Sequence, residues 1–100
     1  VSIPIRLDLN NPVFQRQLLE LETKQQMAVL RGLQRLSKMT WNELYTHQGC
    51  HWEALSSRKG PGGVTLYTMR LRRGFRAVAY RQGDWVRVLT LHRDHDSAYR

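Results

Sequence analysis

His92-Arg93-Asp94-His95-Asp96-Ser97-Ala98-Tyr99 gathers two imidazoles, two carboxylates and a phenol within eight residues. Such groups move protons near neutral pH, and an imidazole beside a carboxylate can serve as general base or general acid. Leading into them, residues 58–93 hold nine Lys/Arg against one acid, Asp84, a local charge of +8, whereas residues 1–57 carry +1 and residues 94–100 carry −1. The positive excess thus sits beside the proton-transfer groups, an arrangement suited to a phosphodiester polymer rather than a small neutral substrate. His92, Asp94, His95 and Asp96 are also metal-ligand types. The chain offers no second ligand cluster, and His47 or His51 would have to complete the set. The reading is therefore of a site with no metal and no cofactor.

Elements must position these groups. Residues 3–9 alternate Ile3, Ile5, Leu7, Leu9, the period of a half-buried strand, and Pro4 keeps that strand short or at an edge. Asn10-Asn11-Pro12 predicts a helix start. An apolar stripe of Phe14, Leu18, Leu19 and Leu21 breaks near Thr23-Lys24. A second follows at Met27, Leu30, Leu33 and Leu36, with Val29 in the seam. Gly32 weakens this helix by roughly 1 kcal/mol relative to Ala unless close packing requires it. Thr40-Trp41-Asn42-Glu43 has capping-box spacing and predicts a short helix over 41–46, ended by Gly49.

Strands are predicted at 52–56, 64–71, 75–81 and 85–91, with 58–63 a basic loop and tight turns at 72–74 and 82–84. Connections that short force an antiparallel meander. The expected fold is α+β, one domain over 1–100. Its N-terminal helical hairpin packs on one face of a twisted, mainly antiparallel sheet of about four strands. By alternation Val86, Val88 and Thr90 oppose Trp85, Arg87, Leu89 and Leu91, and Ala77 and Ala79 oppose Arg76, Val78 and Tyr80. One face should pack on the helices while the other is studded with arginine. A register slip of one residue would reverse that assignment.

Trp41, Trp52, Trp85 and Tyr45 read as core or sheet-packing residues, and His47 and His51, near a helix end, as structural or exposed. The single Cys50 excludes an internal disulfide and reads as a buried thiol in a reducing compartment. No apolar run approaches the roughly 18 residues of a membrane span. VSIPIRLDL lacks signal-peptide features. The basic residues lie on strands and turns instead of an amphipathic helix, so an anionic membrane surface is not the expected partner and the cytoplasm is the expected location.

A helical hairpin precedes Trp52-Glu53-Ala54-Leu55. Then come Tyr67-Thr68-Met69-Arg70-Leu71, Gly74-Phe75-Arg76-Ala77-Val78-Ala79-Tyr80 and Val88-Leu89-Thr90-Leu91-His92, and the run closes on Asp96-Ser97-Ala98-Tyr99. This pattern, from about Phe14 to Tyr99, resembles the RelE/ParE toxin superfamily of bacterial type II toxin–antitoxin systems. The resemblance implies a microbial RNase-like fold, neutralised by an acidic antitoxin that wraps it, with possible higher-order toxin–antitoxin assembly. Its RelE-like branch enters the ribosome and cleaves mRNA without metal. Its ParE-like branch poisons DNA gyrase and has no nuclease activity. Carried over by position, Arg70 and Arg76 match the family's basic sheet positions, His92 the end of the last strand and Tyr99 the terminal tyrosine. Some members have Lys where this chain has Thr68.

Metal-free RNA cleavage needs a base for the 2′-hydroxyl, cations for the phosphorane and an acid for the 5′-oxygen. Arg70 and Arg76 can supply fixed charge, since the planar guanidinium fork matches phosphate oxygens. His92 and His95 are the acid/base candidates. Asp94 or Asp96 could orient a histidine or act as the base, and Tyr99 could stack or donate a proton. Arg58, Lys59, Arg72, Arg73, Arg87 and Arg93 are the expected RNA-holding residues. The expectation is a ribosome-dependent mRNA endoribonuclease. Its alternatives are a gyrase poison, which has no use for proton-transfer groups, and a non-enzymatic nucleic-acid-binding module, which would bind RNA in a salt-sensitive way without toxicity.

Overall fold

Local capping starts each end of the helical layer in the computed structural model, which describes residues 2–72 and 74–93. The Asn11 carboxamide oxygen accepts from the amides of Val13 (2.9 Å) and Phe14 (3.4 Å), and Pro12 opens α1 (Pro12–Leu19). The break before α2 (Thr23–Ser37) is fixed by Gln26, whose amide donates to the carbonyls of Leu18 (3.1 Å) and Leu19 (3.2 Å). Those carbonyls end α1 and have no partner within it. In α3 (Trp41–Thr46) the expected capping box forms in both directions, Glu43 N to Thr40 Oγ1 at 3.2 Å and Thr40 N to Glu43 Oε1 at 3.1 Å.

The strands are β1 (Arg6–Asp8), β2 (Glu53–Lys59), β3 (Thr65–Arg72), β4 (Phe75–Gln82) and β5 (Trp85–His92). They form one sheet in the order β1-β5-β4-β3-β2. The α+β class holds, but the sheet has five strands and is mixed, because β1 joins the β5 edge in parallel. The remaining pairs are antiparallel. β2 extends through Lys59 after an irregularity between Leu55 and Lys59, so Arg58 and Lys59 end a strand where a loop was expected; Pro61–Gly63 follows as a single 3-10 turn.

All three helices cover the same face. There Phe14, Val29, Leu33, Leu36, Trp41 and Leu44 meet Met69, Leu71, Ala77, Ala79, Val86 and Val88 in one core. The buried track of α2 is Val29, Gly32, Leu33 and Leu36, while Met27 and Leu30 face outward at 45% and 44% exposure. Gly32 explains that rotation. A Cβ there would lie 2.3 Å from the Leu71 carbonyl oxygen, so the bare backbone lets α2 settle onto β3. Arg35 Nη2 then donates to the same carbonyl at 3.2 Å. Trp85 does not join this core; it lies half-buried at the β1–β5 edge between Arg6 and Arg87, 5.8 and 5.5 Å from its ring. No helix among the described residues is long and apolar enough to cross a membrane.

One irregularity decides what the other face presents. Val78 pairs with Thr90 but Ala79 pairs with Val88, so Leu89 is an extra residue in β5. This bulge reverses the alternation beyond it. Leu91 joins Val86 and Val88 in the core, and Thr90 and His92 turn to the open face. Strict alternation groups Thr90 with Val86 and Val88; the bulge corrects that.

Candidate functional site

Paired residues of adjacent strands share a face, with Cβ atoms about 4.5–5.5 Å apart. Arg70 of β3 pairs with Arg76 of β4, and Arg76 pairs with His92 of β5. Two guanidiniums and an imidazole therefore stand in one cross-strand row on the side of the sheet away from the helices. Facing arginines repel each other. An anion lying over both would relieve that repulsion.

The two arginines play different parts. Arg76 is 4% exposed, and its Nη2 donates to Thr68 Oγ1 at 3.0 Å and to the His51 carbonyl at 3.2 Å. It is a fixed charge set into the sheet surface and held in place by these bonds. Arg70 is exposed and presents its fork to solvent. The open face also carries a small apolar cluster of Leu55, Leu66 and Val78, with Tyr80 and Leu89 against it. Beside that cluster runs a cleft of about 250 Å³ lined by Arg58, Lys59, Val78, Leu89 and Thr90 among others.

His92 is half-buried, and the Thr90 hydroxyl lies 2.9 Å from its Nε2. Burial, and secondarily the positive charge of Arg58, hold the imidazole below the ordinary histidine value of 6.5. The ring is neutral at pH 7, the form that accepts a proton. Replacing Arg58 with Gln removes the lesser of those two causes. The imidazole titration of His92, followed by NMR, is then expected to move up in pH toward 6.5. A titration of Arg58→Gln that overlays the wild type would separate Arg58 from His92.

The remaining arginines of the sequence reading do not gather here. Arg87 is bound by Asp8 of β1, and its Nε donates to Gln82 Oε1 at 2.7 Å. It lies five residues before His92 on β5, roughly 15 Å away at strand spacing. The Arg87 hydrogen bond, followed by the Asn10 amide, holds the Asp8 carboxyl below the ordinary 3.8. A carboxylate with a depressed pKa contributes stability that is fully present above its unfolded value and is lost as pH falls through the folded one. Arg87→Gln is therefore expected to lose less stability than the wild type on acidification from pH 5 to pH 2, read as the urea midpoint.

Arg93 turns toward the helices, donating from Nη2 to Gln25 Oε1 at 2.8 Å with its guanidinium 6.0 Å from the Phe75 ring. Arg72 is exposed at the end of β3. Arg73, Asp94, His95, Asp96 and Tyr99 lie outside the described residues. Among the described residues no three His, Cys, Asp or Glu side chains group as a metal site would need. Cys50 is buried, and that burial pushes its thiol up, away from the reactive thiolate.

Sequence reasoning gave four residues here no part in the site: Thr68, Thr90, His51 and Glu53. Thr68 supports Arg76, Thr90 contacts His92, and Glu53 pairs with Thr68 in the sheet and so stands on the same side. Their parity with Arg70 along β3 and with Arg76 across the sheet was the available signal, and it required the register. Comparison of the chain with family models, with curated proteins and with solved structures gives no match in any of the three.

Proposed function

We propose that this protein is a metal-independent endoribonuclease of the RelE type, the toxin of a type II toxin–antitoxin pair that cuts mRNA on the ribosome. The observation that carries the reading is the cross-strand row Arg70–Arg76–His92 on the open face of the sheet. Arg70 grips the scissile phosphate, and Arg76 neutralises the charge that builds on its oxygens as the 2′-oxygen attacks. His92, neutral at pH 7, takes the 2′-hydroxyl proton. Lys59 and Arg58 at the end of β2 border the same face and would hold neighbouring phosphates. The expected antitoxin is an acidic, partly disordered chain that folds onto this surface. Exposed Leu19, Met27 and Leu30 of the helical hairpin offer it apolar contacts.

The test is induced expression followed by primer extension on translated mRNA. Growth arrest with breaks inside codons supports the reading. Arrest with intact mRNA and accumulated cleaved DNA–gyrase complexes overturns it.

A further inference from the structure

A second imidazole borders the Arg70–Arg76–His92 row, at the opposite end from His92. His51 is the one non-glycine residue with positive φ (48°) among those described. Such a backbone is strained by about 1–3 kcal/mol and persists only where its surroundings enforce it. Here the enforcement comes from the strands that carry the arginines. The Cys50 carbonyl accepts from the Arg70 amide at 2.6 Å, and the His51 carbonyl accepts from Arg76 Nη2 at 3.2 Å. The imidazole projects beside Glu53, with Nδ1 3.5 Å from Oε1, and both side chains are accessible, at 44% and 53%. A loop corner with no further role would not need an accessible imidazole–carboxylate pair anchored on the buried guanidinium.

We propose that His51 is the second proton-transfer group of this face, giving its proton to the leaving 5′-oxygen while His92 takes the proton of the 2′-hydroxyl. The inference rests on the endoribonuclease reading and names the acid that reading leaves open. In-line attack places the entering and leaving oxygens on opposite sides of phosphorus. His51 lies at the β2 margin and His92 on β5, with Arg70 and Arg76 on the two strands between. Three strand intervals span about 14 Å of backbone, across which inward-reaching rings can flank one ribose-phosphate. The step balances without a co-reactant. The 2′-O–P bond forms and the P–5′-O bond breaks. The 2′ proton goes to His92 and the His51 proton to the 5′-oxygen, giving a 2′,3′-cyclic phosphate and a 5′-hydroxyl. Glu53 is a positioning residue, orienting the ring and balancing its charge while it is protonated.

The other groups around His51 are His47 and Tyr45 of α3, which line the same shallow cleft; Arg70 and Arg76 meet the backbone of this corner, at the Cys50 and His51 carbonyls. His47 is already committed, since its Nδ1 accepts from the Cys50 amide at 3.1 Å.

The test compares ordinary RNA with RNA carrying a bridging sulfur at the scissile 5′ position, both presented on programmed ribosomes. A thiolate leaves without a proton, so it bypasses the acid. Asn tolerates left-handed backbone, so His51→Asn keeps the corner, and circular dichroism checks the fold. His51→Asn is expected to cleave ordinary RNA about 10²–10⁴-fold more slowly than wild type and to recover to within about 10-fold on the sulfur substrate. Glu53→Gln should show a smaller loss in kcat, at unchanged KM, with the same recovery. His92→Ala should stay slow on both substrates. Wild-type rates in His51→Asn, or equal losses on both substrates, overturn the assignment of His51 alone. Failure of the wild type to cleave either RNA removes the endoribonuclease reading itself.

Discussion

His92→Ala is expected to slow mRNA cleavage by about 10²–10⁴-fold, the usual contribution of a positioned general base, without unfolding the protein at neutral pH. The substitution leaves Arg76 and its bonds to Thr68 and His51 in place, so the proposed phosphate seat survives and KM is expected to change less than kcat. Stability supplies an internal control. The folded His92 imidazole is held below 6.5, so the unfolded chain binds its proton first as pH falls. Stability from this residue is therefore present above that value and declines as pH drops below it. His92→Ala should lack this part of the decline, which a urea titration at pH 5 and pH 7.5 would read. A variant that is inactive but equally acid-sensitive would mean that His92 titrates without the strain of burial. One that is active would mean it takes no part in chemistry. Arg76→Lys is the matching test of the fixed charge, because Arg76→Ala would also strip Thr68 and the His51 carbonyl of their donor.

Gly32→Ala carries the largest expected effect on stability. The added methyl would sit 2.3 Å from the Leu71 carbonyl oxygen, 2.6 Å from its carbon and 2.9 Å from Leu71 Cβ. Two of those atoms are backbone of β3, a strand paired on both sides, so α2 must lift instead. Overpacking of this kind costs about 1–3 kcal/mol, and the severity of the contact argues for the upper end. Better helix propensity returns up to about 1 kcal/mol. The net loss of about 2 kcal/mol corresponds to a fall of roughly 8–16 °C in Tm for a chain of this size. Lifting α2 also stretches the Arg35–Leu71 bond and releases the outer end of β3 next to Arg70. An unchanged or raised Tm would mean that α2 does not rest on β3 as described.

Local signals were legible where the physics is local. The Thr40–Glu43 box, the Asn11-Pro12 start and the short turns of the β3–β4–β5 meander depend on neighbours within a few residues. Gly32 reads from sequence as a cost to α2 unless close packing requires it, and the Leu71 carbonyl supplies that packing. Arg70, Arg76 and His92 were legible as residue types, but their convergence was not. It depends on the extra residue at Leu89, which exists only as a mismatch between β4 and β5. Strict alternation would have turned His92 toward the helices with Val88. In the same way Arg87 looked available until β1 brought Asp8 against it from 79 positions away in the chain. His51 reads from sequence only as a residue near a helix end; its left-handed backbone and its hold on Arg76 follow from the packing of β2, β3 and β4, which no single stretch of sequence encodes.

Two arginines and an imidazole are proposed to cut RNA through its own 2′-oxygen, and the chemistry of the cut ends reports that directly. Translated mRNA from cells expressing the protein should carry new 5′ ends that ligate to an adaptor only after kinase treatment, with 2′,3′-cyclic phosphates on the upstream fragments. Those ends should disappear in His92→Ala. New ends that ligate without kinase, bearing 5′-phosphates, would mean that water and not the ribose attacked, and would overturn the proposed chemistry.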